Sequence, residues 1–411
     1  MAGSTGGGMG SSNLSPAAPP APKILLAKPG LVSAGPAAAK YGRGSGAEDE
    51  TVPHRSRLPP ISNLNLLSDS WDFHIDRFLP FLTENTDFTV VGVIGPPGVG
   101  KSTIMNELYG FDGSSPGMPP PFAIQSEDNR ATARHCTIGI EPRVSAERLI
   151  LLDTQPVFSP SVLAEMMRPD GSSTVPVISG ESMSAELAYE LMAIQVGVLL
   201  ASICHILLVV SEGIWDDKMW HLMLTVDLLK HGISDPSSLT SHFPSSNMGS
   251  EKENKDKIFD SEEYMATPVF VHTKLQDKML TSLDFVQLRK AFAQYFGLSS
   301  FMAKKCENVE KDAISPTVSA IQNNDLESTP NLFVIPFKTK DDLPGAHHES
   351  YFSALWKVRD QVLSMNSLSF VKPVSERDWL KNSAKMWELI KSSSIIAEYG
   401  RMLQNSGMFR R

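Results

Sequence analysis

The sequence predicts an α/β fold, with a mostly parallel sheet flanked by helices. Three observations carry this reading. Short apolar runs of the kind found in buried strands alternate with longer helical patterns along most of the chain. The stretch VVGVIGPPGVGKSTIMNEL, Val90 to Leu108, sets a loop of glycines and prolines between one such strand and a helix. A second apolar strand, RLILLD, ends on a carboxylate, Asp153.

Taken in order, residues 1–60 are rich in Ala, Gly, Pro and Ser and poor in aromatics. Such a segment buries too little apolar surface to offset its ordering entropy, so it is expected to be a disordered tail. Within it, KILLAKPGLV (Lys23 to Val32) is either incidental or a docking peptide. The remainder, 61–411, is expected to form one domain. A helix is expected near LLSDSWDFHIDRFL, capped by Ser68 or Asp69, with Trp71, Ile75, Phe78 and Leu79 on one face. A strand from Phe88 to Ile94, the glycine loop and a helix from about Ser102 follow, then a loop over 112–121. Leu149 to Leu152 is the second strand, and a long helix from about Ser184 leads to the third, Ile206 to Val210. WDDKMWHLMLTVDLLKHG reads as a helix stopped by Gly232. TPVFVHTK and NLFVIPFK supply a fourth and a fifth strand. Polar insertions are expected over roughly 233–262 and 304–329. A final helix, from near Ser375 to about Gln404, carries a stripe of Leu380, Ala384, Trp387 and Ile390. Its Trp379, Trp387 and Tyr399 are large groups suited to anchoring an interface or a core.

The whole chain sets bounds. With 411 residues and a net charge of -9, it lacks the basic excess that nonspecific phosphate-backbone binding requires, so no direct nucleic-acid partner is expected. Cys136, Cys204 and Cys306 fit no CxxC spacing and read as reduced thilos of a cytoplasmic or nuclear protein. The N-terminus has no basic start followed by an apolar run, so no secretory signal is read there. Leu191 to Val210 is uncharged and about long enough to span a bilayer. Gln195, Ser202 and His205 interrupt it and no basic cluster flanks it. A buried helix running into a buried strand is the preferred reading, and no membrane partner is expected. His205 and His272 lie in apolar strands and read as core histidines.

The chemistry concentrates in Gly95-Pro96-Pro97-Gly98-Val99-Gly100-Lys101-Ser102, which matches GxxxxGK[ST]. Glycines let successive N–H groups curl inward to cradle phosphates, and the following helix aims its positive end at the same charge. Lys101 is suited to the β- and γ-phosphates, and the Ser102 hydroxyl to Mg²⁺. The cofactor-binding set is therefore Gly95, Gly98, Val99, Gly100, Lys101, Ser102 and Thr103. The competing reading is a tight turn with an incidental lysine, but the motif's confirming context, a strand before and a helix after, is present. Asp153 is placed as the second magnesium carboxylate; a strand-terminal cap is its alternative. Thr137, in HCTIGIEP, is a candidate switch threonine for Mg²⁺ and the γ-phosphate; an ordinary exposed strand threonine is the alternative. The metal set is thus Ser102, Thr137 and Asp153.

Two departures from a working G domain stand out. Where such a domain has DxxG, often followed by a water-orienting glutamine, this chain has Asp153-Thr154-Gln155-Pro156. Proline removes an N–H that would meet the γ-phosphate. Where NKxD is needed for guanine, this chain has Thr273-Lys274-Leu275-Gln276: Lys274 remains to stack on a base, but the carboxylate is missing and Asp277 comes one residue late. Weak base discrimination follows, with GTP/GDP or ATP/ADP and Mg²⁺ as the expected cofactors. No residue is assigned to catalysis.

Three pieces, VVGVIGPPGVGKS, LILLDTQPVFSPSVL and RDWLKNSAKMWELIKSSSIIAEYGRML, together resemble the SMG nine family of nonsense-mediated mRNA decay factors. The resemblance covers roughly Phe88 to the C-terminus. It implies a G-domain-like P-loop NTPase fold. It also implies a heterodimer with a sister G-domain protein of the SMG eight type, and binding to a PI3K-related kinase that phosphorylates the Upf helicase. The implied role is a nucleotide-binding regulatory scaffold, a slow NTPase at most. The alternative is an active self-assembling GTPase of the septin or dynamin-like type. A small-molecule P-loop kinase would need an arginine lid, for which only Arg130 and Arg134 are candidates.

Overall fold

The computed structural model describes residues 64–68, 70–111, 118–132, 134–167, 183–233, 264–276, 282–303, 331–339, 341, 344, 349–365, 370 and 373–407. The chain divides into two units, Met1–Arg57 and Leu58–Arg411, and all described residues lie in the second. The expected tail, the Lys23–Val32 patch and, Ile233 apart, both polar insertions fall outside them.

The elements run α1 (Ile75–Phe78), β1 (Thr89–Ile94), α2 (Lys101–Tyr109), α3 (Glu127–Ala131), β2 (Ile140–Val144), β3 (Leu149–Thr154), α4 (Pro160–Met166), α5 (Ala185–Ile203), β4 (Ile206–Glu212) and α6 (Asp217–Lys230). They continue as β5 (Thr267–Leu275), α7 (Ser282–Tyr295), α8 (Ser300–Ala303), β6 (Asn331–Pro336), α9 (Tyr351–Ser364), α10 (Glu376–Lys391) and α11 (Ser394–Asn405). The six strands form one sheet in the order β2-β3-β1-β4-β5-β6. Every pairing is parallel except β2 with β3, which is antiparallel.

Side-chain alternation sorts the strands onto two cores. Val90, Ile94, Leu207, Val209 and Phe270 face one layer, where α5, α6, α7, α10 and α11 contribute buried residues. Val91, Val93, Leu208, Val210, Val269 and Val271 face the other, closed by α2 and α9. Helix α5 is apolar nearly all round because it is buried nearly all round. The uncharged run is therefore a core helix, capped by Ser184, whose hydroxyl accepts from Leu187 N, and it runs into central strand β4.

Three expectations need correction. The N-terminal helix is shorter than its stripe suggests: Trp71 has φ 64 and lies outside α1. Leu67 instead bridges Phe73 and Ile140, which holds the preceding residues extended. Strand β2 was not anticipated; it pairs Ile140 with Thr154. The single C-terminal helix is two. Ser393 takes an extended ψ of 121 and caps α11 through Ile396 N, so three successive serines, Ser392 to Ser394, end one helix and start another. The turn lets α11 fold back on the core, where Ile396 is buried and Gly400 sits against Leu191.

Glu376 opens α10 and is fully buried. Its carboxylate accepts from Thr83 N (2.7 Å) and Thr83 Oγ1 (3.0 Å) and pairs with Arg148. Trp379 and Trp387 are buried too, donating to the carbonyls of Ile203 and Trp71. They are core anchors, and Tyr399 is half-buried against the same core.

Candidate functional site

The glycine loop leaves β1 at its carboxyl end, where parallel sheets open their ligand crevice. Gly95 is required by close approach: a Cβ there would stand 2.1 Å from the carbonyl oxygen of Val210. Gly98 and Gly100 hold left-handed φ values of 74 and 97, which curl the backbone ahead of α2. Val99 anchors the curl, its side chain buried and its carbonyl accepting from Thr273 Oγ1 at 2.8 Å.

Lys101 is buried at the start of α2 and donates to the carbonyls of Gly95 and Pro96, both at 2.9 Å. Burial lowers its pKa to about 8, with Asp153 opposing. Ser102 Oγ donates to Asp153 Oδ2 at 2.7 Å, and Thr137 Oγ1 donates to the same oxygen at 2.9 Å. Asp153 is fully buried; burial raises its pKa, opposed by Lys101 and the two hydroxyls. Its other oxygen, Oδ1, has no hydrogen-bond partner in its buried position.

That orphaned oxygen bears on whether a cation fits. Among the described residues no group of three or more His, Cys, Asp and Glu is placed to hold a metal. What is present is one carboxylate with two hydroxyls beside a phosphate-type loop. Mg²⁺ prefers this arrangement, taking few protein oxygens and completing its shell with water and phosphate. Ser102, Thr137 and Asp153 would hold it, and it would neutralise phosphate charge.

A cavity of about 250 Å³ opens beside these groups. Gly98, Gly100, Lys101, Ser102, Thr103 and Thr137 are on its wall. Gly95, Val99, Asp153 and Lys274 are not. Lys274 sits on a bulge of β5 with φ 58, and its Nζ pairs with Glu212 at 2.8 Å. A bulge of this kind re-aims a side chain. Here it directs Lys274 toward the glycine loop, 3.9 Å from where a Cβ on Gly98 would lie.

Gln155, two positions after Asp153, is not free to orient water. It is buried, and its Oε1 accepts from Gly139 N at 2.9 Å while its own N–H donates to Gly139 O at 2.8 Å. It clips down the segment that carries Thr137. Pro156 is on the cavity wall. The next helix start is also committed, since Ser159 N donates to Tyr189 Oη.

Sequence reasoning missed the opposite wall: Gln125, His135, Cys136, Ser159 and Ser161. His135 contacts Ser161 Oγ through Nδ1 (2.9 Å) and Glu165 through Nε2 (3.4 Å), and burial lowers its pKa. The one available signal was local, in that His135 and Cys136 stand directly before Thr137. His205 and His272 are core histidines as expected. Val90 N donates to His205 Nδ1 (2.9 Å), and His272 Nδ1 contacts the carbonyl of Gly213 (2.7 Å).

A mostly parallel sheet with this order, a glycine loop entering α2 and a buried aspartate tied to serine and threonine define a P-loop NTPase fold of the G-domain type. The chain is homologous to curated proteins named nonsense-mediated mRNA decay factor SMG9. The Xenopus tropicalis protein is 27% identical over 380 residues, covering 87% of this chain and 71% of its own. The Salmo salar protein is 25% identical over the same shares, and the Caenorhabditis elegans protein 28% identical over 40% of each chain. No family model matches the chain. A septin GTPase domain from Chlamydomonas reinhardtii aligns over 77% of this chain and 98% of its own, at 11% identity and a TM-score of 0.28. That score carries no weight for the fold, which rests on the strand order and the loop geometry.

Proposed function

We propose that this chain is a nucleotide-binding regulatory scaffold acting in nonsense-mediated mRNA decay. It takes GTP/GDP or ATP/ADP with Mg²⁺ in the glycine-loop cavity and pairs with a sister G-domain protein. Together they engage a PI3K-related kinase and regulate phosphorylation of the Upf helicase in the cytoplasm or nucleus. The name of the curated relatives supports the process. The observation that carries the nucleotide reading is the convergence of Ser102 and Thr137 on Asp153, with Asp153 Oδ1 left for a further partner.

The same geometry argues for holding nucleotide over turning it over. Phosphoryl transfer is accelerated by donors aimed at developing charge and by a group that positions water. Here Pro156 has no N–H to give and Gln155 is committed to Gly139. The test is co-purification of the sister protein and the kinase with wild-type chain and with Lys101→Ala. Both partners are expected with each form, alongside slow hydrolysis by the isolated chain. Rapid multiple turnover, or loss of both partners from a folded Lys101→Ala protein, would overturn the scaffold reading.

A further inference from the structure

We propose that Arg134 is the cation that receives the terminal phosphate of a nucleoside triphosphate in this cavity. The proposal rests on the nucleotide reading above and adds what distinguishes triphosphate from diphosphate.

The geometry starts from one strap. Arg134 stands three residues before Thr137, whose hydroxyl is fixed on Asp153. Both residues are on the wall of the cavity that Lys101 and Ser102 also line. The strap is pinned along its length. Arg134 N donates to Asn129 O and its carbonyl accepts from Gln125 Nε2, each at 2.9 Å. His135 is held against α4 by Ser161 and Glu165. Gly139 is clipped by Gln155. The backbone that carries the guanidinium is thereby fixed on both sides.

The side chain is uncommitted. Arg134 is exposed, and no carboxylate pairs with it among the described residues. Arg143, Arg148, Arg359, Arg377 and Arg401 each face one. Among the described side chains, the other cations near the cavity have partners: Lys101 lies on the carbonyls of Gly95 and Pro96, His135 faces Glu165, and Lys274 is paired with Glu212. Arg134 is thus a charged group on this wall whose donors have no assigned work.

The need for it is also visible. A terminal phosphate brings negative charge and several acceptor oxygens. On the Pro156 side the main chain offers little, because Pro156 lacks an N–H and the N–H of Ser159 is taken by Tyr189. A guanidinium has five N–H donors in a planar fork that matches phosphate oxygens. A charge-assisted contact from the Thr137 side can replace the lost main-chain donor. A diphosphate has no group at that place. Arg134 is therefore assigned to triphosphate preference, and the strap that carries it would respond to which nucleotide is bound.

The experiment is calorimetry on the full chain with Mg²⁺, using GDP and the β,γ-imido analogue of GTP. Arg134→Ala is expected to weaken the imido triphosphate tenfold or more and to change GDP less than twofold. Arg134→Lys, which keeps the charge and loses the fork, should recover part of the difference. An equal loss for both nucleotides, or an unchanged ratio between them, overturns the assignment. The underlying reading is read out separately. If wild-type protein binds neither nucleotide, the nucleotide site falls and Arg134 with it. If Lys101→Ala abolishes binding while Arg134→Ala leaves the ratio intact, only the role of Arg134 falls.

Discussion

The two ends of the candidate site are built to different standards. At the phosphate end, the motif side chains have defined places: Lys101 on two loop carbonyls, Ser102 and Thr137 on one carboxylate oxygen, Gln155 holding the strap. At the base end, Lys274 is turned by a bulge and paired with the half-exposed Glu212. Gln276 stands where a guanine-reading acid would be. The contrast teaches that anchoring a phosphate and choosing a base are separable. The first needs backbone curvature and burial, while the second needs one well-placed carboxylate.

The comparison breaks most sharply at Lys101. Lys101→Ala removes the buried cation of the loop and should weaken triphosphate binding roughly ten- to a hundredfold, the scale of a hydrogen bond to a charged group. Calorimetry on protein shown to be folded by circular dichroism checks this; unchanged affinity would empty the phosphate end of its meaning. Next comes the metal. Asp153→Asn should lower the gain in triphosphate affinity that Mg²⁺ confers by about tenfold, since it removes the only carboxylate charge in the set. Titrations with Mg²⁺ and with EDTA separate the two states. An Asn variant with a full magnesium response would move the metal elsewhere.

At the base end the expected effects are smaller. GDP and ADP should bind one preparation with a difference well below a thousandfold, the scale of losing a designed base-edge partner. Lys274→Ala should weaken both by a few-fold and to the same degree, because an aliphatic stem gives a base less than the roughly 1–3 kcal/mol of an aromatic platform. A guanine preference above that scale would place an acid at the base edge and restore symmetry between the two ends.

The smallest effect on binding, and a distinct one on stability, comes from the histidines. Burial holds both His205 and His272 near a pKa of about 4. Between pH 6.5 and 4 the unfolded chain therefore binds protons that the folded chain refuses. Stability falls as pH drops through this window and is insensitive to these groups above it. Each contributes at most roughly 3 kcal/mol by pH 4, at about 1.4 kcal/mol per pH unit. His205→Asn, which keeps an acceptor for Val90 N, should flatten part of the slope in thermal melts at pH 7 and pH 5. An identical slope would assign the acid loss to other groups.

What the sequence disclosed follows from the range of the interactions involved. The five parallel strands, the glycine loop and the starts of α5 and α10 are written locally, in apolar runs and in the capping serines Ser184 and Ser375. Strand β2 was hidden because IEPRV carries a proline and two charges, and only its partner β3 makes it a strand. The split of the last helix depends on α11 finding the core near Leu191, far away in sequence. At the site, the motif residues were legible because their spacing is fixed by the phosphate they would cradle. The commitments of Gln155 to Gly139, of Lys274 to Glu212 and of His135 to α4 were not, since each is a meeting of segments that no spacing encodes.

The clasp between Arg148 and Glu376 has a consequence for how the protein is made. The strand that launches the glycine loop, β1, is preceded by Phe88, which rests against Trp379, and Glu376 reaches back to Thr83. Residues that act together in the finished fold are thus separated by nearly the whole length of the domain. During synthesis, the loop, Asp153 and Lys274 all emerge before the segment that seals the apolar face beneath them. A growing chain covers much of that face with α5, α6 and Phe292, but the part filled by Trp379, Leu380, Trp387 and Ile390 stays open until α10 arrives. Pairings so distant in sequence are slow to close. A chain cut before residue 376 is therefore expected to leave this part of the core uncovered and to be prone to aggregation.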